Sequence, residues 1–174
     1  MKNEKCIIVG ASGSGKDYLL RGLVKKGLRY SPKYTTRPQR KLETNGLEYF
    51  FIQNGDFESM LESNQVLTYQ KFDIFGSVWH YAISKDNFQD NQVFIMTPHE
   101  LSTIDSEIRK GCFVVYLDID MDIRRGRITG RNENADSVDR RLNADEEDFK
   151  DFKDYDLKIS DPDFDVDMVY DLMN

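Results

Sequence analysis

The 174 residues predict an α/β fold, a parallel sheet flanked by helices, and two observations carry that prediction. Short continuous apolar runs alternate with stretches of helical periodicity, as in strands that are buried on both faces and joined by crossover helices. The stretch from about Lys33 to Ser84 breaks this alternation, so a small mixed β unit is expected as an insertion at 33–84, leaving a core of 1–32 and 85–174. No repeat or low-complexity linker divides the chain, and one domain is expected.

In chain order, Lys5–Val9 reads as a buried strand. A helix follows from Gly15 to about Lys26, with Leu19, Leu20, Leu23 and Val24 on one face, and Gly27 stops it. Inside the insertion, Leu47–Ile52, Val66–Phe72 and Val78–Ile83 read as strands and Phe57–Leu61 as a short helix. Asp73–Ser77, with Gly76, is the expected hairpin turn. Val93–Met96 is the next core strand, followed by a helix from about Pro98 to Arg109. The strand Cys112–Leu117 then precedes a helix over about Met121–Ile128 and a long helix over about Ser137–Phe152. A short strand at Leu157–Ile159 and a final helix from near Phe164 complete the core, with Asp161-Pro162-Asp163 breaking the chain between them.

The formal net charge is −7, but residues 145–174 hold 12 acids and 3 lysines, so the remainder carries about two net positive charges. A slightly basic body with clustered arginines and no polybasic tract suits small anions, and no nucleic-acid polymer is expected as partner. No apolar run reaches membrane-spanning length, and the four apolar residues before Gly10 are too few for a signal-peptide core. Two cysteines in apolar stretches read as reduced thiols in a cytoplasmic protein.

The central motif is Gly10-Ala11-Ser12-Gly13-Ser14-Gly15-Lys16-Asp17. Its G-x-x-x-x-G-K spacing follows a strand and opens a helix, the context of a phosphate-binding loop. Glycines let successive N–H groups turn inward toward phosphate oxygens, the helix N-terminus adds partial positive charge, and Lys16 adds a full one. Loop and context together predict a P-loop NTPase-type sheet, with Gly10 to Asp17 as the expected site for a nucleotide's phosphates. Asp17 stands where a Ser or Thr ordinarily meets Mg²⁺. It is either a metal ligand, since hard cations take carboxylate oxygens, or a residue that merely favours the helix N-terminus.

Downstream, Tyr34-Thr35-Thr36-Arg37-Pro38-Gln39-Arg40 is followed by Glu43, Gly46, Tyr49 and Phe51. Two arginines three apart and a tyrosine hydroxyl can form a multidentate clamp for a phosphate monoester. This segment resembles the acceptor segment of the guanylate kinase family, T-T-R-x-x-R-x-x-E-x-x-G-x-x-Y-x-F, without a gap. His80-Tyr81-Ala82-Ile83 resembles that family's Y-Y-G-[ST]. Arg127-Ile128-Thr129-Gly130-Arg131, followed by Arg140-Arg141-Leu142, resembles its lid, and Ser160-Asp161 resembles its Asn-Asp turn near the adenine. The resemblance implies transfer of the ATP γ-phosphoryl group to a nucleoside monophosphate, with Mg²⁺ and with small nucleotides as partners, by a monomer or homodimer. It implies catalytic roles for Lys16, Arg127, Arg131 and Arg141 and a mobile lid at about 124–142. Ser160 and Asp161 join the ATP site, and the acceptor set is Lys33, Tyr34, Arg37, Arg40, Glu43, Tyr49, Thr68, Tyr81 and His99. Arg124 and Arg125 read instead as a solvated helix face.

Where that family reads guanine, this chain departs. The family's base-reading Glu corresponds to Thr68, a Ser to Lys33, a Ser/Thr to Ile83 and an Asp to His99. A site that loses the carboxylate leaves guanine's donors without acceptors. The acceptor is therefore GMP, dGMP or a nucleotide with another, even modified, base. A second resemblance, in the G-x-S-G-S-G-K-D loop and in Gly130–Ala135, is to ribose 1,5-bisphosphate phosphokinase, a sugar-phosphate kinase that needs no base reader. A non-catalytic guanylate-kinase-like module that binds a protein is the remaining alternative, against which stands the retention of the lysine and arginines together.

Overall fold

The computed structural model describes residues 4–74, 76–130 and 135–173. The core sheet is parallel. Its central strand β1 (Lys5–Gly10) pairs on one side with β6 (Val93–Ile95), Ile7 opposite Phe94, and on the other with β7 (Cys112–Leu117), Ile7 opposite Val114. β7 pairs in turn with β8 (Leu157–Ile159), giving the order β6-β1-β7-β8.

Because side chains alternate along a strand, β1 feeds two cores. Cys6 and Ile8 pack with Leu19 and Leu23 of α1 (Lys16–Lys25) and Val169 of α8 (Val166–Met173). Ile7 and Val9 pack on the other face with Phe94, Val114, Phe88 of α3 (Lys85–Asp90) and Leu101 of α4 (Pro98–Thr103). Burial on both faces is why these strands are apolar without interruption.

The second sheet is mixed, in the order β3-β2-β5-β4. β2 (Tyr34–Thr35) runs parallel to β3 (Phe50–Phe51) and antiparallel to β5 (Ser77–Ser84), which forms a hairpin with β4 (Val66–Ile74). Helix α2 (Asn54–Glu62) covers one face, with Phe57 stacked on His80 at 4.3 Å and edge-on to Tyr69 at 5.5 Å. Thr68, Gln70 and Tyr81 alternate with those residues and so belong to the opposite face.

Two expectations are corrected and two elements are added. The helix over Pro98–Arg109 is two helices, α4 and α5 (Ser106–Lys110), because Ile104 is extended and the Asp105 carboxylate caps a new start at Glu107 N. The strand over Leu47–Ile52 shrinks to Phe50–Phe51, since the chain before it turns at Gly46, where φ is 84°. β2 and α3 are additional: β2 is too short to show periodicity, and α3 announces itself only by Ser84, whose hydroxyl accepts from Asn87 N. The helices α6 (Met121–Thr129) and α7 (Ala135–Phe149) flank residues 131–134, which lie outside the described residues, as does Phe75 in the predicted turn.

Cys6 and Cys112 are both free thiols and both buried. Burial pushes them up to about 12 and about 11. Thiolate chemistry needs the deprotonated form, so the native protein is expected to ignore a thiol-specific disulfide reagent at pH 8 and to react at both cysteines once unfolded. Rapid native labelling would contradict the packing of β1 against β7.

Candidate active site

The carboxyl ends of β1, β7 and β8 share one edge of the core sheet, the edge where open α/β sheets take ligands. Between β1 and α1, the chain turns through Gly13 and Gly15, whose φ angles of 77° and 102° lie in the left-handed region. A Cβ on Gly13 would sit 2.8 Å from the Arg124 carbonyl oxygen, so the loop lies against α6 only with glycine there. Lys16 Nζ donates to Gly10 O at 2.7 Å and to Ala11 O at 2.9 Å, which folds the side chain back over the loop. An ammonium has a third N–H for a ligand. Burial pulls Lys16 down to about 8, with Asp145 and Asp17 acting in the opposite direction.

A carboxylate from α7 reaches this loop: Ser12 N donates to Asp145 Oδ2 at 2.8 Å. Arg124 stands behind it, with Nη1 3.7 Å from the same oxygen. Only 4% of Arg124 is exposed; its Nε donates to Ile119 O at 2.9 Å and its Nη2 to Glu146 Oε1 at 3.0 Å. The expected solvated helix face is therefore corrected for Arg124, because its turn of α6 packs against Gly13. It holds for Arg125, which is exposed and pairs with Asp139. In the acidic C-terminal stretch, Asp156 accepts from Val114 N at 2.8 Å and from Arg109 at 3.1 Å.

Arg127 donates to Gly13 O and to Pro162 O, both at 3.1 Å, and so ties the loop to the turn after β8 that carries the exposed Ser160 and Asp161. Arg141 is exposed on α7, and Arg131 lies outside the described residues. Asp17 is exposed on the first turn of α1.

The acceptor segment builds a second cationic centre. Arg37, 5% exposed, forks onto Glu43 with distances of 2.6 and 3.0 Å and lies 5.4 Å from the Tyr49 ring and 5.5 Å from that of Phe51. Tyr49 meets Tyr81 edge-on at 5.5 Å. Burial, followed by the neighbouring Tyr81, pushes the Tyr49 phenol up to about 12, so it remains a proton donor. Glu43 also accepts from Arg40 N at 2.7 Å, which makes it the organiser of the arginine turn; the Arg40 side chain is exposed. Asp17 lies within electrostatic reach of Tyr49, and Lys33 within that of Lys16, so the two centres are neighbours.

Beside them is a polar network that the sequence did not announce. Lys33 Nζ binds both oxygens of Glu100, at 2.7 and 2.6 Å, and Glu100 is fully buried. Glu100 Oε2 also accepts from Thr97 N at 2.8 Å, and Thr97 Oγ1 accepts from Glu100 N, closing a capping box at the start of α4. The buried Thr68 hydroxyl binds Glu100 O at 3.1 Å and Thr103 Oγ1 at 2.7 Å. Lys33, Glu43 and Thr68, expected to touch the acceptor, thus already have internal partners. Tyr34 leans on Phe50, with ring centroids 5.0 Å apart, and exposed His99 lines an open cleft at the edge strand β4 with Thr68, Gln70 and Asp148. The T-x-x-E spacing of Thr97 and Glu100 was the available signal for this network; Gln70 and Asp145 had none.

A phosphate loop on a parallel sheet, with an arginine–tyrosine cluster on a second, mixed sheet, is the arrangement of a P-loop kinase. The guanylate kinase family model matches residues 2–173, and the chain belongs to that family. It is 29% identical to the guanylate kinase of Clostridioides difficile over 158 residues, covering 88% of this chain and 77% of the relative. The guanylate kinase of Neisseria gonorrhoeae is 40% identical over 80 residues, 45% of this chain and 38% of the relative. The crystal structure of guanylate kinase from Anaplasma phagocytophilum superposes with a TM-score of 0.70 at 18% identity, over 99% of this chain and 85% of that one. No helix among the described residues is long and apolar enough to cross a membrane.

Proposed function

We propose that the chain transfers the γ-phosphoryl group of ATP to the phosphate of a nucleoside monophosphate. The supporting observation is a pair of neighbouring cationic centres, Lys16 with its loop and Arg37 with Tyr49 and Tyr81. Phosphoryl transfer requires little covalent work from a protein; positioning and neutralisation of charge supply the rate. Residues 10–17 grip the donor's phosphates, with Ser160 and Asp161 beside the adenine. Arg37, Arg40, Tyr49 and Tyr81 hold the acceptor's phosphate, and Glu43 fixes the two arginines. Residues 33–84 act as the acceptor-binding unit, and 124–142 act as a lid bearing Arg127, Arg131 and Arg141.

The residues present fit Mg²⁺. This ion keeps several waters and takes one or two carboxylates plus substrate phosphates. Asp17 offers an exposed carboxylate beside Lys16, and no cluster of three ligating side chains exists among the described residues. When bound, the ion neutralises phosphate charge, and Asp17 is its protein ligand in this proposal.

The test is coupled ADP release with a panel of ribo- and deoxynucleoside monophosphates and ribose 1,5-bisphosphate. Turnover with a nucleotide is expected. Turnover with the sugar phosphate alone would identify a sugar-phosphate kinase, and none with any acceptor would identify a binding module.

A further inference from the structure

The polar network between α4 and β4 defines what base the acceptor carries, granted the nucleoside monophosphate reading above. Two groups that could accept hydrogen bonds from a base are unavailable. Glu100 is fully buried, with both oxygens on Lys33 and one also on Thr97 N. Thr68 is engaged with Glu100 O and Thr103.

Gln70 is different. Its Oε1 lies 2.5 Å from Thr97 Oγ1. The Thr97 hydroxyl accepts from Glu100 N and donates to Gln70 Oε1, with the Gln70 amide nitrogen on the side away from Thr97. The Gln70 amide nitrogen donates to no group among the described residues. Gln70 stands directly opposite Tyr81 in the β4–β5 register, and cross-strand side chains of that kind are about 5 Å apart at Cβ. Tyr81 in turn touches Tyr49, which lies over Arg37. The amide is therefore one residue pair from the phosphate clamp.

The remaining hydrogen-bonding capacity is donor-rich: two N–H on Gln70, a third N–H on Lys33, and one spare lone pair on Gln70 Oε1. Guanine presents three N–H donors beside a single carbonyl and meets mostly donors here. A 2,4-dioxopyrimidine presents carbonyls on both sides of one N–H. A glutamine amide can donate to a carbonyl and accept from that N–H, and Lys33 can serve the other carbonyl. We propose that Gln70 is the base-reading residue and that the preferred acceptor is a uracil or thymine nucleotide. Asp148, at the rim with His99, is the carboxylate to be tested against this assignment.

The test compares kcat/KM for dUMP, dTMP, UMP, GMP, dGMP and dCMP in the wild type and in Gln70→Glu, which can accept but not donate to a carbonyl. Uracil or thymine nucleotides are expected to exceed GMP and dCMP by a factor of at least about ten. Gln70→Glu is expected to reverse that order by lowering the dioxopyrimidines at least tenfold, with the KM for ATP unchanged. Guanine preference in the wild type would overturn the assignment while leaving the nucleoside monophosphate reading intact, whereas absence of turnover with all six would overturn that reading itself. Unaltered preference in Gln70→Glu, or preference abolished by Asp148→Asn, would remove Gln70 from the role.

Discussion

Lys16→Met is expected to lower kcat by a factor on the order of 10²–10³ with every acceptor, the cost of removing one preorganised charge from a developing transition state. The fold should survive, because Lys16 contributes only two bonds to loop carbonyls. Its pH dependence provides a second readout. Burial holds the group near 8, so charged Lys16 is lost from the ligand-free enzyme as pH rises through about 8, and kcat/KM for ATP should fall there. Lys16→Arg, which does not titrate, should remove that fall. The stability sign is opposite: between about 8 and the ordinary lysine value of 10.5 the unfolded chain binds more protons, so ligand-free stability from this group rises with pH. A pH-independent kcat/KM in the wild type would count against Lys16 as the donor-side cation.

The second large effect is expected from Arg37. Arg37→Ala should raise the acceptor KM by a factor of at least about thirty while leaving the KM for ATP within about twofold, since the guanidinium charge is lost from the acceptor side only. It should also destabilise the fold by roughly 3 kcal/mol, because Glu43, with a side chain 15% exposed, loses its forked partner. Arg37→Lys separates the two effects: it keeps the charge beside Glu43 and recovers stability, but lacks the planar fork and should not recover acceptor affinity. Initial-rate kinetics and urea denaturation measure both. An Arg37→Ala enzyme with unchanged acceptor KM would assign the clamp elsewhere.

The core was legible because its chemistry is local. Lys5–Gly10 and Cys112–Leu117 are apolar on both faces, and the glycine spacing of the phosphate loop fixes strand, turn and helix together. The acceptor segment could be read because Arg37, Glu43 and Tyr49 lie close in sequence as well as in space. What escaped depends on long-range contact. Arg124 looks like a surface residue until Gly13 brings the loop against its helix. Lys33 and Glu100 are 67 residues apart, and neither marks the other in the sequence. Nothing around Asp145 distinguishes it from the acids beside it, yet it alone among them bonds to the phosphate loop.

That last contact changes what donor binding means. The Ser12 amide already has an anionic partner drawn from the protein's own chain, so a triphosphate that claims the amide performs an exchange of one anion for another. Either a rotation of the Asp145 side chain or a shift of α7, the helix that also bears Arg140 and Arg141, would free the amide. Donor binding would therefore leave a carboxylate without its amide beside Arg124, whose Nη1 already lies 3.7 Å from that oxygen.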